Sequence, residues 1–236
     1  MCELGFYKGV EGLLGEGNYV PKMLILLREP NSTQKKNVSS DDEWWFWQNV
    51  NKKEEKSGKR YINIYSRLIG KLYGVNGEKD MLKRCAYMNL RPDGGGSQRT
   101  KEFYRVLGAL EDLSLDEEYI QPISFEEIDW NLEDTARRVA RNRMDIIENV
   151  IAQKVKYIVT TPDIYEAIKK NVHVREEGKY RWKRWGRDYS YCRIGETGET
   201  ILLSFPHPSY TKIQYNNEYD DLKELDLQNI YVSYDK

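Results

Sequence analysis

The sequence feature that most constrains the fold is the apolar run 201–205, which ends in a Pro-His-Pro sequence at 206–208. The run has the length and the continuous hydrophobicity of a strand that is buried on both faces. Proline can neither donate to a sheet ladder nor continue a helix, so the chain must leave the sheet in a fixed turn. His207 therefore lies beyond the carboxyl end of a strand, where open α/β sheets bind ligands. A histidine that only hydrogen-bonds the turn remains an alternative interpretation.

The rest of the chain alternates strand-like and helix-like segments. Three more apolar runs have the length of buried strands, namely 22–27, 84–90 and 155–160. Four segments have the apolar spacing or the opening proline of helices, namely 61–73, 103–110, 131–154 and 162–170. This alternation predicts an α/β fold with a parallel sheet.

Residues 175–198 interrupt this succession of strand-like and helix-like segments. In this stretch, aromatic and basic residues are interleaved. The rings are Tyr180, Trp182, Trp185, Tyr189 and Tyr191, and the cations are Lys179, Arg181, Lys183, Arg184 and Arg187. The pattern predicts a hairpin with rings on one face and cations on the other, a composition that suits nucleic-acid binding. A Gly-Glu-Thr-Gly sequence at 195–198 predicts a hairpin turn. Nucleic-acid contact and a purely structural hairpin stay open as alternatives.

Composition excludes several function classes. Lysine plus arginine (37) balance aspartate plus glutamate (38), so nucleic-acid binding would depend on local charge. The three cysteines are far apart and odd in number, which argues against a disulfide scaffold, a structural zinc and a four-cysteine iron–sulfur cluster. The cysteines therefore predict no structural metal site. Because no apolar run approaches the roughly 20 residues that cross a bilayer, we expect a soluble, cytoplasmic protein, or a nuclear one in a eukaryote.

The length of 236 residues predicts a single domain, residues 1–236. Within it we expect an N-terminal arm at 1–20, a hairpin insertion at 175–198 and a C-terminal tail at 213–236. The expected state is a monomer without membrane contact.

Polar residues follow three of the predicted strands at the point where each strand ends. Glu29 comes shortly after the first strand, Asn89 ends the second, and His207 follows the last. Because a parallel sheet brings successive strand ends to one edge, these three groups should converge. Taken singly, Glu29 also fits a solvated turn and Asn89 a structural bridge.

At these positions the chain resembles the uracil-DNA glycosylase superfamily. Residues 26–31, Leu-Leu-Arg-Glu-Pro-Asn, are similar to the family's first-strand motif. Residues 86–89, Ala-Tyr-Met-Asn, are similar to the strand that ends in the base-reading residue, and 205–210, Phe-Pro-His-Pro-Ser-Tyr, to the final His-Pro-Ser motif. The resemblance covers most of the chain, from about residue 22 to residue 211.

The resemblance implies a short four-stranded parallel sheet flanked by helices on both faces, with the hairpin inserted before the last strand. It implies hydrolysis of the N-glycosidic bond of a flipped-out base, which leaves an abasic site, as in base-excision DNA repair. Glu29 would hold the attacking water and His207 would donate to the departing base. The implied base-binding residues are Asn89, Asn31 and Phe46. The implied DNA-binding residues are Ser209, Tyr210, Thr211, Lys183, Arg184 and Arg187.

Two departures from the family pattern concern the substrate. Leu27 stands where the family usually has glycine, and Glu29 stands where it usually has aspartate or asparagine. We therefore expect a monofunctional DNA glycosylase for uracil or a modified pyrimidine, acting on single- or double-stranded DNA. The alternative is a glycosylase-like nucleic-acid-binding protein that has lost catalysis.

Overall fold

The computed structural model of the chain describes residues 10–11, 23–27, 56–74, 85–90, 107, 133–153, 155–182, 186–207, 226–227 and 230. Its strands are β1 Val10–Glu11, β2 Met23–Leu27, β3 Cys85–Asn89, β4 Tyr157–Thr160, β5 Val174–Trp182, β6 Arg187–Ile194 and β7 Thr200–Ser204. Its helices of eight residues or more are α1 Lys56–Tyr73, α2 Glu133–Ala152 and α3 Pro162–Lys169. The predicted α/β class is confirmed.

The described strands form one mixed sheet in the order β1-β3-β2-β4-β7-β6-β5. Strands β3, β2, β4 and β7 run parallel at its centre. β1 is antiparallel to β3, β6 to β7, and β5 to β6. The sheet is therefore larger than the predicted four-stranded parallel one. The hairpin that we expected as an insertion, strands β5 and β6, continues the sheet because β6 satisfies the open backbone groups of β7.

Helices cover both faces of the sheet. Alternate side chains of β2, beginning with Met23, pack with Ile64, Leu68 and other residues of α1. The intervening side chains, beginning with Leu24, pack with α2 and α3. We call these the α1 face and the α2 face. All five residues of β2 are buried, which explains why its sequence is continuously apolar rather than alternating.

The helix boundaries follow from ordinary signals. α1 begins earlier than the predicted segment 61–73, and it ends before Gly74, which has the left-handed φ of 65° that favours glycine. α3 begins with Pro162, whose missing N–H would have had no partner in the first turn. α2 lies within the predicted 131–154. Of the predicted helix 103–110, only Leu107 lies within the described residues, and it is buried.

The hairpin confirms one prediction and corrects another. Residues 195–199 connect β6 to the antiparallel β7, and the positive φ angles of Gly195 and Gly198 confirm the predicted turn. Rings and cations separate only in part. Tyr180 and Trp182 are buried whereas Arg181 between them is exposed, but Arg187 pairs with Trp182 and so lies on the face that carries the rings. The buried rings belong to the core on the α1 face, so they cannot stack on bases.

The described residues of the two predicted end segments join the sheet and the core, respectively. In the arm, Val10 and Glu11 form the edge strand β1. In the tail, Leu227 and Ile230 are buried on the α1 face, and the Asp226 N–H donates to the Arg181 carbonyl at 3.2 Å. The predicted division into one domain with these segments stays a prediction. None of the described helices has the length and apolar character that a membrane crossing requires.

Candidate functional site

The four central strands end at one edge of the sheet, which we call the carboxyl edge. Parallel pairing places Leu27 opposite Asn89, Leu26 opposite Thr160, and Thr160 opposite Ser204. Beyond the last pair, the Phe205 N–H still donates to the Thr160 carbonyl at 2.6 Å. The register therefore brings the end of β3, which carries Asn89, to the same level as the start of the turn that carries His207.

Asn89 is held at this edge by its own strand. Its side chain is only 5 % exposed, and its Oδ1 accepts a hydrogen bond from the Tyr87 hydroxyl at 3.0 Å. The two side chains lie on the same face because residues two apart in a strand do so. The Leu90 N–H donates to the Leu27 carbonyl at 2.8 Å and fixes the backbone immediately after Asn89. Asn89 is therefore a buried, hydrogen-bonded amide at the end of a central strand.

The turn that carries His207, residues 205–207, is held by side chains from other elements. Phe205 is buried, and its ring stacks on Trp182 of the hairpin at 5.7 Å and contacts Tyr65 of α1 at 6.4 Å between centroids. The Tyr180 hydroxyl donates to the Ser204 carbonyl at 2.5 Å. His207 itself is half-buried. Packing therefore fixes the turn, and His207 as a whole residue is neither fully buried nor fully exposed.

The ends of β2 and β4 lie between Asn89 and the His207 turn. Three interstrand steps of about 4.8 Å separate β3 from β7, or about 14 Å in all. Thr161, just after β4, donates a hydrogen bond from its hydroxyl to the Asp163 carboxylate at 2.6 Å. The hydroxyl proton of Thr161 is therefore already engaged. Asn89 and the turn that carries His207 therefore lie at the same edge of the sheet, with the ends of two strands between them.

Exposed cations of the hairpin lie near the same edge. β5 ends at Trp182 and β6 begins at Arg187, so both strand ends lie at the carboxyl edge. β6 is antiparallel to β7 and pairs with it from Tyr191 to Ile194, so Arg187 at the start of β6 lies towards the carboxyl end of β7. Arg187 and Arg181 are exposed. Two ion pairs of the hairpin, Arg193 with Glu176 and Lys169 of α3 with Glu177, lie towards the opposite end of the strands.

An open groove of about 390 Å³ lies beside this edge, between the start of α3 and the hairpin. Its lining residues are Pro162, Glu166, Arg187, Asp188, Tyr189, Ser190 and Ser204. Neither Asn89 nor His207 lines it. The groove lies towards the α2 face, whereas Tyr87 and Asn89 lie on the α1 face. It is therefore a neighbour of the predicted site and not its base-binding pocket.

Two buried cysteines do not supply a nucleophile or a metal site. Burial raises the pKa of the Cys85 thiol far above its ordinary value, and it raises the pKa of the Cys192 thiol to about 11. Both thiols therefore stay protonated near neutral pH, in which form they are poor nucleophiles and poor ligands. Among the residues that the structure describes, no group of three or more histidine, cysteine, aspartate or glutamate side chains could hold a metal ion.

The structure brings three predicted site residues, Asn89, His207 and Arg187, to the carboxyl edge. The other predicted residues lie outside the described ranges. They are Glu29, Asn31, Phe46, Lys183, Arg184, Ser209, Tyr210 and Thr211. The predicted roles of these eight residues therefore stay predictions.

Sequence reasoning missed the residues that hold the site in place. Tyr87 lies two positions before Asn89 in a predicted strand, so the two-residue period of a strand already places both on one face. Tyr180 was identified only as one ring of an alternating pattern. Its contact with Ser204 has no local signal, because 24 positions separate the two residues in the chain.

Comparison with known proteins found no relative. No family model, no curated protein and no solved structure matches the chain.

Proposed function

We propose that the chain is a monofunctional DNA glycosylase that hydrolyses the N-glycosidic bond of a flipped-out uracil or modified pyrimidine. The observation that supports this most is that Asn89 and His207 lie at one edge of four parallel strands, beside exposed arginines of the hairpin. An amide that reads a base and an imidazole that donates to it belong together in such an enzyme. The proposal includes a glycosylase-like core formed by the four central parallel strands.

The residue types suit the chemistry of this reaction. Bond cleavage places negative charge on the departing pyrimidine and positive charge on the sugar. A donor from His207 near the base oxygen favours the first change, and a carboxylate from Glu29 near the anomeric carbon would favour the second and orient the water. The proposed reaction needs no metal and no cofactor. The water becomes the hydroxyl on the sugar, and its proton reaches the released base.

Arg187 and Arg181 supply a reason to expect DNA beside the site. Exposed cations bind phosphates without regard to sequence and steer DNA towards the carboxyl edge. The chain as a whole is nearly neutral, with a formal net charge of −1, so this local group must provide the attraction. Because Tyr180, Trp182 and Tyr191 are buried in the core, we infer that the exposed cations of the hairpin contact DNA and that these three rings do not.

The alternative function is a glycosylase-like DNA-binding protein without catalysis. It would use the same hairpin cations, and it would not need the pair formed by Asn89 and His207. We favour the enzyme because a buried amide and a partly buried histidine both lie at the carboxyl edge, where a binding surface alone would gain little from them.

A gel assay of abasic-site formation tests the proposal. Single- and double-stranded oligonucleotides that carry uracil or modified pyrimidines are incubated with wild type, His207→Ala and Glu29→Gln under single-turnover conditions. We expect wild type to excise at least one base, and His207→Ala to be slower by roughly 10², by analogy with the loss of an oxyanion-hole donor. Glu29→Gln should also be much slower while its DNA affinity changes only a few-fold.

Thermal melting of each variant separates a chemical role from a structural one. A His207→Ala protein that melts early but excises normally per folded molecule would assign His207 to the turn alone. DNA binding without excision of any base by wild type would favour the inactive alternative.

A further inference from the structure

Tyr87 and Asn89 form a hydrogen-bonded pair that the proposed chemistry does not yet use. The Tyr87 hydroxyl donates to Asn89 Oδ1 at 3.0 Å, and both side chains are 5 % exposed. A buried hydrogen bond of this kind cannot be exchanged freely for one with water, so breaking it leaves polar atoms without compensation. The pair therefore has a preferred arrangement.

The Tyr87 side chain cannot move easily to follow a rotated amide. Its ring belongs to the core of the α1 face, and Tyr87 pairs with Ile25 in the centre of the sheet. Packed interiors hold side chains in one rotamer, so the hydroxyl stays at a fixed position beneath Asn89. The orientation of the Asn89 amide therefore follows the position of the Tyr87 hydroxyl.

The consequence is an amide of defined orientation. Asparagine carries an acceptor, Oδ1, and two donors on Nδ2. With Oδ1 directed at the Tyr87 hydroxyl, Nδ2 is the group turned away from it. Rotation by 180° would break the hydrogen bond from the Tyr87 hydroxyl to Oδ1 and place an N–H against the hydroxyl oxygen instead. The Tyr87 contact therefore favours one of the two patterns that Asn89 can present to a ligand.

We propose that Tyr87 is a positioning residue that sets the base preference of Asn89 by fixing the orientation of its amide. The inference rests on the proposed function, because it assumes that Asn89 contacts the base. A fixed Nδ2 donor suits a pyrimidine with a keto oxygen on the edge that Asn89 reads. A pyrimidine with an exocyclic amine there would meet donor against donor, and such mismatches are rejected strongly. The ligand class is therefore keto pyrimidines over amino pyrimidines.

The test compares matched keto and amino bases in wild type and Tyr87→Phe. The substrates are oligonucleotides with uracil or cytosine, and with 5-hydroxymethyluracil or 5-hydroxymethylcytosine, at one position. We expect wild type to prefer the keto member of each pair. In Tyr87→Phe the keto-to-amino ratio of excision rates should fall by about threefold to tenfold, the equivalent of one net hydrogen bond.

A second measurement does not depend on catalysis. Binding of the same oligonucleotides with a 2′-fluoro substituent at the target sugar, which resists cleavage, is followed by fluorescence anisotropy. If wild type excises none of the bases, the proposed function fails, and the ratio of dissociation constants still decides whether Tyr87 sets a preference. A folded Tyr87→Phe protein with unchanged ratios in both assays overturns the inference.

Tyr157→Phe is the matched control. The Tyr157 hydroxyl is also buried, on the same face, and donates to the Leu72 carbonyl at 3.0 Å away from the carboxyl edge. We expect this variant to lose stability as Tyr87→Phe does and to keep the wild-type ratio. If Tyr87→Phe does not fold, Asn89→Asp decides. Its carboxylate accepts from an exocyclic amine, so the ratio should shift towards amino bases, and an unshifted ratio removes both residues from base recognition.

Discussion

Asn89 and the His207 turn lie at the same edge of the sheet, but the protein holds them in different ways. Asn89 is oriented by Tyr87, a residue of its own strand, through one hydrogen bond. The His207 turn is positioned by Trp182, Tyr180 and Tyr65, which come from the hairpin and from α1. One side of the candidate site depends on a local contact, and the other depends on the packing of distant segments.

The difference predicts how each side responds to change. Loss of the hydrogen bond from Tyr87 to Asn89 releases the orientation of the Asn89 amide without creating a large cavity in the core. It should therefore alter which base is accepted. Loss of a ring behind Phe205 removes buried area from the core and lets the turn move. Such a change should lower stability and rate together and leave the choice of base unaltered.

The largest expected effect is that of Trp182→Ala. Trp182 is fully buried, and its ring stacks on Phe205 and contacts Tyr189 at 6.0 Å. Truncation should cost about 3–5 kcal/mol of unfolding free energy, as for other large-to-small changes in cores. We expect excision per folded molecule to fall for every base by a common factor. Chemical denaturation and single-turnover assays on the folded fraction measure the two effects.

Arg181→Ala is the control for that variant, because Arg181 is the exposed neighbour of Trp182. Its effect on stability should stay within about 0.5 kcal/mol. A loss below about 1 kcal/mol in Trp182→Ala would mean that the hairpin does not position the turn. The two sides of the site would then not differ as described.

The sequence was sufficient for the elements that depend on local patterns. Continuous apolar runs predicted β2, β3, β4 and β7 to within one or two residues at each end, since strands buried on both faces need apolar side chains at every position. The Gly195 and Gly198 turn was predictable because few residues other than glycine adopt positive φ.

The sequence could not indicate which partners those elements meet. Alternation in the hairpin separated Tyr180 and Trp182 from Arg181, but a period of two does not say which face is buried. That depends on α1 and on Leu227 and Ile230 of the tail, which cover the rings from distant parts of the chain. For the same reason, the extension of the parallel strands into a mixed sheet was not predictable from the runs alone.

The pH dependence of stability gives a second, smaller comparison of the two sides. Cys192 lies in the hairpin, and burial raises the pKa of its thiol from 9.0 to about 11. Between these pH values the unfolded chain has lost a proton that the folded protein keeps. The unfolding free energy should therefore fall as pH rises from 9 to 11, by at most about 1.4 kcal/mol per pH unit for one group.

Cys192→Ala should flatten the fall within that window. Cys85 begins β3, the strand of Asn89, and burial raises the pKa of its thiol further than that of Cys192. Cys85→Ala should therefore flatten the fall over the same window and beyond pH 11. Urea titrations from pH 8 to pH 11.5 measure the slopes. Equal slopes in wild type and Cys192→Ala would show that the hairpin thiol is not protected from solvent as the structure indicates.

The smallest expected effect, that of Tyr180→Phe, makes the sharpest comparison because Tyr87→Phe removes the same atom on the other side. Tyr180 is buried, and its hydroxyl donates to the Ser204 carbonyl, three residues before His207. Its loss should cost about 1 kcal/mol of unfolding free energy. It should also slow excision of keto and amino pyrimidines by the same small factor, because the turn that carries His207 shifts while Asn89 keeps its orientation. Tyr87→Phe should do the opposite and change the ratio between the bases.

Single-turnover rates for both base classes in both variants separate the two outcomes. A changed ratio in Tyr180→Phe would show that the two sides are coupled through β2 and β4, and base choice would then belong to the whole carboxyl edge rather than to Asn89.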